Sequence, residues 1–171
     1  MNKKQEANEF VKECITTVLL QMMEKQSFES ISITELTKKA GVGRVSFYRN
    51  FESKEDVIRQ YLGKLIKAWG TEFERSENPN LIESLFSHYY KHRALFTLLY
   101  RSGLAHISLQ NVLDVCGPTS DQDNMAAYTR AWFCHGLYGW IEEWFKRGMS
   151  ETPTEMAKLW EQAQPLNKEN M

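Results

Sequence analysis

Residues Ser32–Asn50 constrain the fold of this chain more than any other stretch. They read as two short helices separated by Gly41-Val42-Gly43. Gly41 is able to take the positive φ that a tight helix-to-helix turn requires, and Val42 is available to plug the corner. Ahead of the turn, Ser32-Ile33-Thr34-Glu35 has the spacing of a capping box. In such a box the Ser32 hydroxyl accepts from the Glu35 N–H and the Glu35 carboxylate returns to the Ser32 N–H, which satisfies donors that a helix end leaves unpaired. The spacing predicts one helix from there to about Ala40 and another over Arg44–Asn50.

The flanking sequence is helical in period as well. From about Lys4 to Lys25, Phe10, Cys14, Val18 and Met22 recur every four residues beside Val11, Ile15 and Leu19, an amphipathic stripe. Ser53-Lys54-Glu55-Asp56 offers a second capping signal before Ile58, Tyr61, Leu62, Leu65, Trp69 and Phe73, so a long helix to near Ser76 is expected. Asn78-Pro79-Asn80 reads as a turn, and Leu81–Tyr90, Arg93–Tyr100 and Leu104–Val115 as shorter helices stopped by Cys116-Gly117-Pro118. A long helix over about Gln122–Lys146 is apolar on more than one face and needs two partners. Thr152-Pro153-Thr154-Glu155 opens a last helix, with Met156, Leu159 and Trp160 on one side and a frayed end expected beyond Pro165. With no strand-like alternation, repeat or heptad pattern, the expected fold is all-α, about nine helices.

Composition removes several classes. At 42% hydrophobic and 25% charged with only four prolines, neither disorder nor a fibrous repeat dominates. The net charge of −1 gives no global attraction to nucleic acid, so any DNA affinity must come from a local basic surface. Cys14, Cys116 and Cys134 are odd in number and form no C-x-x-C pair, which argues against a disulfide framework or zinc ribbon and for a reducing cytoplasm. Lys3, Lys4, Glu6 and Glu9 interrupt the start, so no signal peptide is expected, and charges break every apolar run, so no membrane partner is expected. No G-x-S-x-G, phosphate-binding glycine loop or paired-carboxylate site is present, which speaks against an enzyme. His88 and His92 share a helix face and would need Cys116 or His135 brought near to hold a transition metal; without H-E-x-x-H or clustered cysteines, no metal and no cofactor is expected.

Two short helices joined by a tight glycine-containing turn, with a third before them, form the arrangement that lets a recognition helix enter the DNA major groove. The segment ISITELTKKAGVGRVSFYRNFESKEDVIRQY resembles the helix-turn-helix signature of the TetR family, including the linker into the next helix. Its recurring elements stand here as Ser32, Leu36, Ala40, Gly41, Val42, Phe47, Tyr48, Phe51 and Lys54, in register without insertion. Gly43 departs from the family's frequent Ser or Thr cap, which weakens capping slightly, and Val45 stands where a smaller residue is common. The resemblance implies a helix-turn-helix DNA-binding domain over 1–52 and a C-terminal regulatory and dimerisation bundle over 53–171.

Leu36, Ala40, Val42, Phe47 and Phe51 are the apolar set that locks the two short helices onto the first one, leaving the opposite face for DNA. That face offers Arg44, Ser46, Tyr48, Arg49 and Asn50. Arg44 is the first candidate for base readout, its fork set against guanine O6 and N7, a pairing worth about 1–3 kcal/mol of discrimination. Val45 either touches a thymine methyl or is tolerated at the groove edge. By similarity to the family, Thr34, Tyr48 and Lys54 grip phosphates, Lys54 standing at the start of the following helix.

Around HRALFTLLYRSGL and FCHGLYGWIEEWFKRGM the chain is similar to the C-terminal domain of Firmicute-type TetR regulators. One short recognition helix reaches few base pairs, so a homodimer on a two-fold symmetric site is the usual route to specificity. Gly136 and Gly139 would permit close approach while Trp140, Trp144 and Trp160 supply contact area; an ordinary monomeric core explains them too. Family members commonly hold an effector pocket, here lined by Trp69, Phe73, Tyr89, Phe96, Leu99, Tyr100, Phe133 and Tyr138, which core packing explains equally well. The expected function is a cytoplasmic regulator, more often a repressor in this family, that binds palindromic double-stranded operator DNA and is modulated by an unidentified small-molecule effector. The alternative is a constitutive regulator whose C-terminal bundle docks a protein partner.

Overall fold

A computed structural model describes residues 3–77 and 80–169. Among the described residues the chain is all-α: nine helices and one short 3-10 turn (Phe28–Ser30), with no strand. The helices are α1 (Lys3–Met23), α2 (Ile33–Lys39), α3 (Arg44–Asn50), α4 (Lys54–Glu74), α5 (Leu81–Lys91), α6 (Arg93–Arg101), α7 (Ala105–Cys116), α8 (Asn124–Lys146) and α9 (Pro153–Glu169). Asn78 and Pro79 of the expected turn lie outside the described residues; Asn80 caps α5, its Oδ1 accepting from the Glu83 N–H at 3.0 Å. At the other end of the chain α9 runs past Pro165, where a frayed end was expected.

Local chemistry explains the boundaries. Ser32 Oγ accepts from the Glu35 N–H at 3.1 Å and so starts α2. The reciprocal half of the expected box does not form: the Glu35 carboxylate reaches forward to Lys39 Nζ at 3.0 Å, an i,i+4 ion pair on the open helix surface. A box closed from both sides occurs instead at α9, where Thr152 N donates to Glu155 Oε2 at 2.7 Å and Glu155 N to Thr152 Oγ1 at 3.3 Å. Gly41 ends α2 at φ +67°, with Val42 N donating to Thr37 O at 3.0 Å and Gly41 N to Lys38 O at 3.3 Å. These two bonds are the 6→1 and 5→2 pair of a Schellman stop, and they let α3 begin three residues later.

The chain divides into two compact units. The first holds the described residues up to Leu65 together with Leu98–Ser108, and the second holds Ile66–Thr97 and the residues from Leu109 onward. In the first unit α1, α2 and α3 pack on one another around Ile15, Leu19, Leu36, Phe47, Phe51 and Ile58. Of the expected stripe on α1, Ile15, Leu19 and Met22 are buried, joined by Met23, while Val11, Cys14 and Val18 are half-buried and Phe10 is 66% exposed. In the second unit α5 lies against α9, and Phe86, Leu137, Ile141 and Trp144 form the core.

Candidate nucleic-acid interface

Helix α3 is two turns long, too short to persist without support, so its pose is set by what it buries. Phe47 is fully buried and Phe51 nearly so, their rings 5.7 Å apart, and the Phe47 ring also meets Tyr48 edge-on at 5.4 Å. With that face locked inward, the opposite face turns to solvent. Arg44 and Arg49 are exposed, Val45 is 64% exposed and Tyr48 54%. Ser46 is half-buried between them. Gly43 caps α3 without a side-chain bond. Two guanidinium groups flanking a tyrosine and a valine give a surface that is cationic and partly apolar, suited to phosphates and base edges together.

Helix α2 adds to this surface. Thr34 is exposed in its first turn, and Lys38, four residues on and also exposed, shares that face. Lys38 is not among the expected contact residues, although its spacing from Thr34 places it on their face. Between Ile33 and Asn50, Lys38, Lys39, Arg44 and Arg49 face one acid, Glu35, whose carboxyl the Lys39 hydrogen bond holds below its ordinary range. A chain near neutrality thus carries a locally basic surface.

Two expected contact residues also make bonds within the fold. Lys54 donates from Nζ to the Phe28 carbonyl at 2.6 Å and stands 4.4 Å over the Phe28 ring, so it ties the 3-10 turn to the start of α4. Asn50 folds back on its own helix, Nδ2 donating to Ser46 O at 2.8 Å, with Oδ1 buried.

Residues 15–61 match the family described as bacterial regulatory proteins, tetR family, and residues 77–164, slightly over half of the chain, match a transcriptional regulator C-terminal region. The chain belongs to the TetR family. It is therefore a DNA-binding transcriptional regulator, and the α2–α3 pair is its helix-turn-helix. Among solved structures it is similar to Lin0861 from Listeria innocua, at 21% identity and a TM-score of 0.76, covering 97% of this chain and 94% of that one. It is also similar to the fatty acid degradation regulator FadR from Bacillus halodurans, at 14% identity and a TM-score of 0.52, covering 92% of each. At these identities the likeness is one of fold. Comparison with curated proteins gives no match.

In this TetR-family chain the expected pocket residues fall in both units. Leu99, buried, and Tyr100, 39% exposed, belong to the first. In the second, Trp69 stacks on Phe73 at 5.5 Å and donates from Nε1 to Ser84 Oγ at 2.9 Å, while Tyr89 meets Phe96 at 4.5 Å. Phe133 turns elsewhere, toward Trp160 at 6.0 Å, and Trp140 meets the same ring at 5.3 Å. Tyr138 is half-buried. His88 and His92 do come together, ring centres 5.0 Å apart, with Trp69, Tyr89 and Phe96 around His88. Burial first, then His92 and Lys91, lowers the His88 pKa to about 4. Among the described residues no helix is long and apolar enough to cross a membrane, and no group of three or more His, Cys, Asp or Glu is gathered as a metal site.

One expected interface residue is corrected by the structure. Trp144 is 2% exposed, edge-on to Phe86 at 5.2 Å and hydrogen-bonded from Nε1 to the Glu151 carbonyl at 3.1 Å, so nearly all of its area is spent in its own core. The open side of α8 carries other bulk: Met125 at 76%, Tyr128 at 72% and Trp132 at 60% exposure, none of them among the expected interface residues.

Proposed function

We propose that this TetR-family chain is a sequence-specific, cytoplasmic repressor that binds a palindromic operator as a homodimer and is modulated by a small-molecule effector. The observation that carries the DNA-reading part is the face of α3: Arg44, Val45, Tyr48 and Arg49 stand open while Phe47 and Phe51 anchor the same two turns. Arg44 reads a base, with Tyr48, Thr34 and Arg49 on backbone or neighbouring bases.

Dimerisation through α8 is supported by its surface pattern. Met125, Tyr128 and Trp132 project from one half, and Gly136 and Gly139 follow, where an added Cβ would meet no atom within 4 Å. From Gly139 onward runs a groove of about 470 Å³ lined by Gly139, Trp140, Glu143, Trp144, Arg147, Glu151, Met156 and Leu159. In an antiparallel pair about a two-fold axis near Gly136, Trp132 of one copy falls opposite Trp140 of the other and beside the open Gly139, so the two indoles meet over a glycine gap. The effector, on this reading, is held among the aromatic side chains of the second unit, where neutral His88 offers a hydrogen-bonding nitrogen.

The test is binding of wild type and Arg44→Ala to a duplex enriched by the wild-type protein from a random library, and to its scrambled form. Arg44→Ala should lose roughly five- to 150-fold on the enriched duplex and relax its choice at one base pair. Equal affinity of the wild type for enriched and scrambled duplexes contradicts the proposal.

A further inference from the structure

Gln60, on α4 within the first unit, engages both amide N–H donors and its carbonyl oxygen. Nε2 donates to the Asn50 carbonyl at 3.0 Å and to Asp56 Oδ2 at 2.9 Å, and Oε1 accepts from Lys12 Nζ at 3.1 Å. Asp56 is 7% exposed and accepts in addition from the Glu52 N–H at 3.1 Å and from Arg59. One side chain therefore joins α1, α4 and the last residue of the recognition helix.

The Asn50 carbonyl is one of the terminal acceptors that a helix cannot satisfy from within. The chain leaves α3 there, since Phe51 is extended at φ −142° and ψ 140°. Phe47 and Phe51 fix how deeply α3 sits, but apolar contact is non-directional. Hydrogen bonds are directional, and those from Gln60 act at the C-terminal end of a helix only seven residues long. Removing its donors would leave Asn50 with a second acceptor lacking a partner, beside Oδ1, which already has none. Bidentate base readout tolerates little misdirection, so whatever aims α3 sets specificity.

We propose that Gln60 is a positioning residue for operator binding, the joint through which α1 and α4 fix the direction of α3. This rests on the DNA-reading role proposed above for the α3 face. It makes no contact with DNA itself, so its loss should disturb discrimination without disturbing electrostatic attraction.

The test uses the full chain as wild type, Gln60→Met, which keeps the length and removes the amide, and Lys12→Met, which removes the anchor on Oε1 together with a 3.9 Å ion pair to Glu9 and a cation 6.0 Å from the Phe51 ring. Each is titrated with the enriched duplex and its scrambled form over a range of salt, at a temperature where the variant is folded. Gln60→Met should weaken the enriched duplex roughly tenfold, with scrambled-duplex affinity and salt slope unchanged, and Lys12→Met should lose roughly threefold in the same selective way. The proposal fails if Gln60→Met binds the enriched duplex within about twofold of wild type, or if both duplexes weaken together. Should Gln60→Met not fold, Lys12→Met decides, and unchanged discrimination in it overturns the proposal. A wild type that enriches no sequence overturns the DNA-reading role itself, an outcome distinct from a Gln60 variant that discriminates normally.

Discussion

Replacing Phe47 by alanine separates what builds the recognition helix from what reads DNA. The side chain is 0% exposed and its ring lies between Tyr48 and Phe51. Deleting a fully buried phenylalanine costs about 3–5 kcal/mol, part from lost transfer and part from the cavity. For a chain of this size each kcal/mol moves the melting temperature by about 2–4 °C, so a fall of about 6–20 °C is expected. Arg44→Ala, on the exposed face of the same helix, should stay within about 0.5 kcal/mol of wild type, about 2 °C or less. Both are read from thermal melts followed by far-ultraviolet circular dichroism at one protein concentration, because any dimer makes melting depend on concentration. The reasoning is refuted if Phe47→Ala melts within about 2 °C of wild type, or if Arg44→Ala falls as far as Phe47→Ala.

Three further outcomes follow from the same packing. His88 has its pKa lowered from 6.5 to about 4, chiefly by burial, so the unfolded chain takes up a proton that the fold refuses in that window. Stability is complete above the upper value and falls by about 3 kcal/mol as pH drops to the lower one; His88→Phe should abolish that component in urea titrations at either end, and an unchanged pH dependence contradicts it. Gly136→Leu has room for its Cβ within its own chain, so it should keep full helicity yet dissociate roughly tenfold more readily in sedimentation equilibrium; unaltered association argues against the α8 face. Lys54→Met, losing the bond to the Phe28 carbonyl and the contact with its ring, should cost about 1–2 kcal/mol in urea with the salt slope of DNA binding kept. A slope reduced by about one at unchanged stability would make Lys54 a phosphate ligand.

The bounds of α3 were legible because Gly41 and Gly43 punctuate the chain and Phe47 and Phe51 repeat at helical spacing around the residues left open. The phase of α1 was less so. The lines through Phe10, Cys14 and Val18 and through Val11, Ile15 and Leu19 are adjacent and both apolar, and the packing of α2 and α3 on α1 buries Ile15 and Leu19 most deeply. Trp144 shows the same limit, since a helix apolar all round does not say which tryptophan faces its own core. The roles of Lys54, Glu35 and Gln60 turn on partners: a carbonyl 26 residues away for Lys54, a lysine one turn on for Glu35, and groups on three helices for Gln60. Long polar side chains have several partners within reach, and spacing alone does not rank them.

The most direct measurement is selection of bound sequences from a random duplex library by the wild-type chain at near-physiological salt. The account predicts an inverted repeat whose half-sites are centred about one helical turn, or a whole multiple of it, apart, as two copies of α3 related by a two-fold axis require. A bound pool with no enriched sequence, or a site lacking the repeat, would contradict it.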